Sequence, residues 1–192
     1  MIKAIKFASI PVTDQDRAFV VALDDPAAVA VGLTGGKAAN LARAAVAGLD
    51  TLPGVVLTTA FSDAVDNGAD LRTHPALREA FDDAKGDARS LVARSSSVVE
   101  DTADSSMAGQ FESVIGIEGF DAFVAAVDEV LASRQRAGAA DEPIAVLVQP
   151  LIEPASGGVM FGIDPVTGRT DRRLISAIEG GPDPLVSGEV DG

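Results

Sequence analysis

The chain contains no cysteine, which excludes disulfides, zinc–thiolate sites and thiol catalysis together. Tryptophan and tyrosine are absent as well, and only eight phenylalanines are present. Cations are scarce: 15 Lys and Arg against 29 Asp and Glu give a formal net charge of −14. So acidic a chain, with so few rings, argues against nucleic acid as a partner. Phosphate backbones need a cationic surface, and bases need aromatic faces to stack on. A small anionic ligand stays compatible, because a few placed cations create a local site against the overall field. The acidic surplus itself reads as a solvated surface.

Long apolar runs are missing too. No window approaches the roughly 18 uncharged apolar residues of a membrane span. The start, "MIKAIKFASIPVTDQD", is unlike a signal peptide, since Lys6 splits the apolar run and Pro11, Asp14 and Asp16 end it early. The expectation is a soluble, cytoplasmic protein. Its 192 residues are enough for one larger domain or two small lobes with a real core.

What is present is well punctuated. "GGKAANLARAAVAGL" predicts a helix from about Lys37, with Leu41, Ala45 and Leu49 on one face. "LPGVVLTTAF" reads as a turn and a buried strand, Val55 to Thr58. "THPALREAFDDAKG" has Thr73 as a cap, Pro75 in the first turn and Gly86 at the far end. Ser90 to Arg94 reads as a short strand and "FESVIGI" as another. A helix follows in which Phe120, Val124, Val127 and Leu131 share a face. In the last third, "IAVLVQPLI", "GGVMFGID" and "RRLISAIE" are strand-like, with a turn over Asp164 to Arg169. The pattern predicts an α/β first part followed by a mainly antiparallel sheet, as two lobes with a ligand cleft between them.

Four stretches carry candidate chemistry. In "GLTGGKAAN", Gly35 and Gly36 precede a helix with Lys37 in its first turn, where free N–H donors and a partial positive charge favour an anion and glycine lets it approach. This is not a Walker A loop, because Val31 and Ala38 occupy positions that need glycine and a hydroxyl residue. The same pattern suits a plain turn before a surface helix with a solvated lysine. Arg94, at an expected strand end, suits bidentate phosphate recognition or an ion pair with Glu100 or Asp101. "SSMAGQFES", with Gly109 among the Ser105, Ser106 and Ser113 hydroxyls, suits either a lid over a polyphosphate or a surface hairpin. In "VLVQPLIEP", Gln149 suits a purine edge with apolar walls around it, or an outward residue of a core strand. His74, at a helix start, reads as a surface residue.

Together "VGLTGGKAANLARA", "LPGVVLTT", "VARSSSVVEDTADSSMAGQFES", "VLVQPLIEPASGGVMFGIDPVTG" and "PLVSGEV" resemble the nucleotide-binding N-terminal part of the pyruvate phosphate dikinase and phosphoenolpyruvate synthase family, which includes the rifampicin phosphotransferases. The resemblance runs from about Gly32 to Val190. It implies an α+β fold of the ATP-grasp type, with ATP between two lobes, here residues 1–115 and 116–192, and with the C-terminal part of the fold beyond the chain. It further implies that Lys37 and Arg94 bind phosphate, that Gly109 is the glycine of the phosphate-covering loop, and that Ser113 stands where relatives carry a threonine or similar small hydroxyl residue. Gln149 then lies beside the adenine, with Pro150, Leu151 and Ile152 lining its pocket. ATP and magnesium are the implied cofactors. In such enzymes the β-phosphoryl group passes to a histidine on a separate domain, with release of AMP and phosphate, and then to an acceptor.

Departures from that pattern are equally visible. "GGPDPLVSG", Gly180 to Gly188, replaces a Gly-Leu-Gly-Glu stretch common in relatives, with Pro182 and Pro184 stiffening the turn. The magnesium-binding carboxylate and a further glutamine are expected past Gly192, as are the phosphohistidine and acceptor domains. Two readings follow: the ATP-binding portion of a dikinase-type phosphotransferase, or a non-catalytic nucleotide-binding or scaffold module of the same fold.

Overall fold

Three runs, Val55–Leu57, Leu91–Ser97 and Ile144–Pro150, are almost wholly buried, as expected of apolar and small-residue strands covered on both faces. The computed structural model describes residues 19–98, 113–136 and 142–191. The chain divides into two compact units between Leu151 and Ile152.

The first unit is built on a five-stranded sheet. Its strands are β1 (Val20–Ala22), β2 (Val55–Leu57), β3 (Leu91–Ser97), β4 (Ser113–Ile117) and β5 (Ile144–Pro150), in the order β1-β2-β5-β3-β4. Every pairing is antiparallel. The α/β arrangement expected for this part is therefore corrected to α+β: helices are inserted between strands, yet neighbouring strands of the sheet run in opposite directions. Helix α4 and strand β5, which the sequence reading assigns to a lobe beginning at residue 116, pack in this first unit, with β5 at the centre of its sheet.

Side-chain alternation separates two cores. On one face, Leu57, Leu91, Ala93, Val146 and Val148 pack with α2 (Thr59–Asp66), α3 (Pro75–Lys85) and α4 (Phe120–Arg136), which contribute Phe61, Leu77, Phe81, Phe123 and Val127. On the other, Val21, Val56, Ala145 and Leu147 meet Ala38 and Ala42 of α1 (Val31–Val46). The expected stripe of Leu41, Ala45 and Leu49 is not the main buried face, and Leu49 is exposed beyond the helix end. Alanine faces the sheet because the helix lies close to it.

Helix α3 is capped by His74 rather than Thr73. Its Nδ1 accepts the Ala76 N–H at 3.2 Å, and its ring meets Phe19 and Phe61 edge-on at 5.1 Å each. The expected surface histidine is thus half-buried and structural. Arg134 of α4, buried, pairs with Asp66 of α2.

Strand β3 extends to Ser97, so Arg94 sits at its middle and not at its end. The sequence reading ends this strand at Arg94, but Ser95, Ser96 and Ser97 pair with Val146, Ala145 and Ile144 of β5, which holds them extended.

Helix α1 is interrupted at Gly35, whose φ of 74° and ψ of 169° are non-helical. A Cβ there would lie 1.9 Å from the Ser96 carbonyl oxygen. The space beside Gly35, expected to admit an anion, is filled by β3.

In the second unit, β6 (Ser156–Phe161) and β7 (Leu174–Glu179) form an antiparallel pair, from Ser156 opposite Glu179 to Phe161 opposite Leu174. The turn between them is closed by Asp164. Its carboxylate accepts from the Val166 and Thr167 N–H groups at 2.9 and 3.1 Å and from the Thr167 hydroxyl at 2.7 Å. Pro182 and Pro184 flank the first residue of a four-residue helix, α5 (Asp183–Val186). Among the described residues no helix is long and apolar enough to cross a membrane.

Two outcomes are expected. Gly35→Ala forces a side chain into positive φ and into β3, and should cost roughly 2–4 kcal/mol in a denaturant melt; an unchanged midpoint would contradict the close approach. The Asp164 hydrogen bonds, led by the Thr167 hydroxyl, hold its carboxyl below the ordinary value. Their contribution is therefore present above the ordinary carboxylate range and lost as pH falls through the lowered value. The Val166 and Thr167 amide shifts should follow that transition in an NMR acid titration and lose it in Asp164→Asn.

Candidate functional site

With Gly35 at the N-cap of the longer segment of α1, Lys37 falls in the first helical turn, half-buried. Its Nζ donates to the Ser95 carbonyl of β3 at 3.0 Å. One residue on, the Ala38 N–H donates to the Ser96 hydroxyl at 3.0 Å. The glycine–glycine–lysine turn is therefore laid against the strand that carries Arg94.

Arg94 is exposed and stands opposite Leu147 of β5 and Ser113 of β4. Alternation puts Arg94 and Ser96 on the same face as Leu147 and Ala145, which is the face covered by α1. Ser113 lies beside Arg94 on that face. Gln149, opposite Val92, lies on it too. Two residues of strand span about 7 Å, so the Gln149 row is about 7 Å from the Arg94 row, and the Ser96 row lies as far again beyond it. Four of the residues picked from the sequence, Lys37, Arg94, Ser113 and Gln149, thus share one side of one sheet.

Gln149 is also committed to a neighbouring loop, and the remaining candidates lie elsewhere. Gln149 is buried, and its Nε2 donates to the Leu52 carbonyl at 3.2 Å; a Cβ on Gly54 would come within 2.8 Å of its Cγ. The amide therefore ties β5 to the loop before β2. Leu151 donates its N–H to the Ser90 carbonyl at 2.9 Å. Ile152 is exposed and begins the second unit. Gly109 lies outside the described residues, as do Ser105, Ser106, Glu100 and Asp101.

Pro150 lines a cavity of about 700 Å³ together with Leu23, Leu52 and Gly54. Asp24, Asp83, Lys85 and Asp87 also border it. Burial, with the neighbouring Asp82 adding, pushes the Asp83 carboxyl up. Lys85 donates to the Arg89 carbonyl at 3.2 Å. Three carboxylates against one lysine give this cavity the wrong sign for a polyphosphate. Lys37, Arg94, Ser113 and Gln149 do not line it. Among the described residues no group of three or more His, Asp or Glu is gathered to hold a metal, so none is assigned to magnesium.

The residue missed from the sequence is Ser96. Its signal was there: in a strand, the middle member of three consecutive serines points to the opposite face from its neighbours.

If the Gln149 amide is a structural tie, Gln149→Leu should lower stability by about 1–2 kcal/mol without any ligand, since the Leu52 carbonyl loses its donor. A thermal melt indistinguishable from the parent's would remove that role.

Comparison with known proteins adds the family. Residues 69–192 match the family described as pyruvate phosphate dikinase, AMP/ATP-binding domain. The matched span includes Arg94, Ser113 and Gln149. The prodigiosin synthesizing transferase PigC of Serratia marcescens is 34% identical over 74% of this chain and 16% of its own length. A phosphoenolpyruvate synthase of Aeropyrum pernix is 29% identical over 91% of this chain and 28% of its own. A rifampicin phosphotransferase of Streptomyces sviceus is 31% identical over 55% of this chain and 13% of its own. The chain thus spans less than a third of the length of each of these relatives. By the family match and by these sequence identities, the chain belongs to the pyruvate phosphate dikinase AMP/ATP-binding domain family.

Proposed function

We propose that the sheet face carrying Lys37, Arg94, Ser113 and Gln149 binds ATP, as the nucleotide-binding portion of a dikinase-type phosphotransferase with an ATP-grasp arrangement. The observation that carries this reading is the contact of Lys37 Nζ with the Ser95 carbonyl, one residue from Arg94. It sets Lys37 against the strand that carries Arg94, in a chain of net charge −14. Two adjacent cations, one compact and one forked, suit a polyphosphate, whose charge they neutralise and whose oxygens they orient. The row spacing supports the direction of the ligand: the phosphates lie toward Lys37 and Arg94, and the base lies toward Gln149 and the Pro150–Ile152 segment. Ser113, beside Arg94, adds a hydroxyl donor at the phosphate end.

Phosphoryl transfer asks the protein mainly for positioning and charge neutralisation. In this reading Lys37 and Arg94 hold the phosphate chain while the β-phosphoryl group passes to a histidine on a separate domain. The relatives are much longer than the span matched here, which leaves room for that domain and for an acceptor domain. The described residues supply no ligand set for magnesium, and no step is assigned to it. The engagement of Gln149 with Leu52 favours a second reading, a non-catalytic scaffold module of the same fold, because the amide expected beside adenine is committed to the protein.

Calorimetric titration with ATP, with and without magnesium, tests the site; intrinsic fluorescence is silent for a chain without tryptophan or tyrosine. Lys37→Ala and Arg94→Ala should each weaken binding by roughly 1.5–3 kcal/mol, the worth of a charge-assisted hydrogen bond. Neither should shift the ligand-free melting temperature much. Equal affinity in both variants and the parent would refute the assignment.

A further inference from the structure

Ser96 supplies what the lysine-bearing turn lacks. A helix N-cap normally offers a side-chain oxygen to the N–H two or three residues on. Here the N-cap is Gly35, which has no side chain, and it must be glycine because its φ is 74° and the Ser96 carbonyl occupies its Cβ position. Ala38, three residues on, donates its N–H at 3.0 Å to the Ser96 hydroxyl, a residue 58 positions away in sequence. Both Ser96 and Ala38 are completely buried, so water does not substitute for the hydroxyl. The residue before Ser96 accepts the Lys37 ammonium through its carbonyl, and the residue before that is Arg94.

We propose that Ser96 is a positioning residue of the phosphate site. By capping the α1 turn from β3, it fixes where Lys37 stands relative to Arg94. This rests on the ATP reading of the same face and assigns Ser96 no contact with the nucleotide. Its effect passes through Lys37: without the hydroxyl the buried Ala38 N–H is unpaired, the first turn shifts to recover a partner, and the ammonium leaves its place beside the arginine strand.

A double-mutant cycle read by ATP calorimetry tests the assignment on the 192-residue chain, with thermal melts confirming that each variant is folded. Ser96→Ala should weaken ATP binding by about five- to tenfold, within the range of coupling between contacting residues. Ser96→Thr, which keeps the hydroxyl, should recover most of that loss. In a Lys37→Ala background, Ser96→Ala should add little, because the group it positions is gone. Should Ser96→Ala not fold, Ser96→Cys, similar in volume and a poor acceptor, goes through the same cycle. Unchanged affinity in Ser96→Ala overturns the proposal. So does a loss of equal size in the presence and absence of Lys37, which marks Ser96 as a general stabiliser. Equal binding by Lys37→Ala and the parent instead overturns the nucleotide reading, and the role of Ser96 falls with it.

Discussion

The contact between Gly35 and the Ser96 carbonyl governs much of the first unit. A helix can lie this close to a strand only if a side chain is missing where the two backbones meet, and Gly35 is where it is missing. The same approach brings Ala38 and Ala42 onto Ala145, Leu147 and Val56, so small side chains fill the α1 side of the sheet. It also breaks the helix, and the break places Lys37 in a first turn, with its ammonium toward β3. One steric constraint thus sets the depth of the helix, the composition of its buried face and the position of the lysine.

The two faces of the sheet divide the work. The face under α2, α3 and α4 is apolar and holds the larger side chains, among them Phe61, Phe81 and Phe123. The α1 face carries the polar residues proposed to meet a ligand, and its uncovered part leaves Arg94 exposed. The five-stranded sheet places these residues by alternation alone, since Arg94, Ser96, Ser113 and Gln149 are in phase across three strands.

Much of this was legible in the sequence. Glycine, proline and apolar periodicity located β2, α3, α4 and the three last strands, because those signals are local. Lys37 and Arg94 stand out from residue type and the scarcity of cations, and the structure sets the turn of one against the strand of the other. Other features depend on partners distant in sequence. The serines of β3 have little strand propensity, and pairing with β5 carries the strand past Arg94. His74 outcompetes Thr73 as a cap because Phe19 and Phe61 hold its ring in place. The two glycines before Lys37 were visible, yet one serves the strand packed against it. Nothing local announces which neighbour a missing side chain makes room for.

The lysine turn and its cap lie 58 positions apart, and β5, which joins β2 to β3, comes later than either in the chain. Closing such long loops costs entropy that local contacts do not repay, so these pairings form late in folding. Until β5 has slotted between β2 and β3, the sheet is two separate strand pairs, β1 with β2 and β3 with β4. Helix α1, which rests on β3 and on Ala145 and Leu147 of β5, lacks part of its seat until then. The place of Lys37 against the strand of Arg94 is therefore completed by the last strand of the sheet to be made.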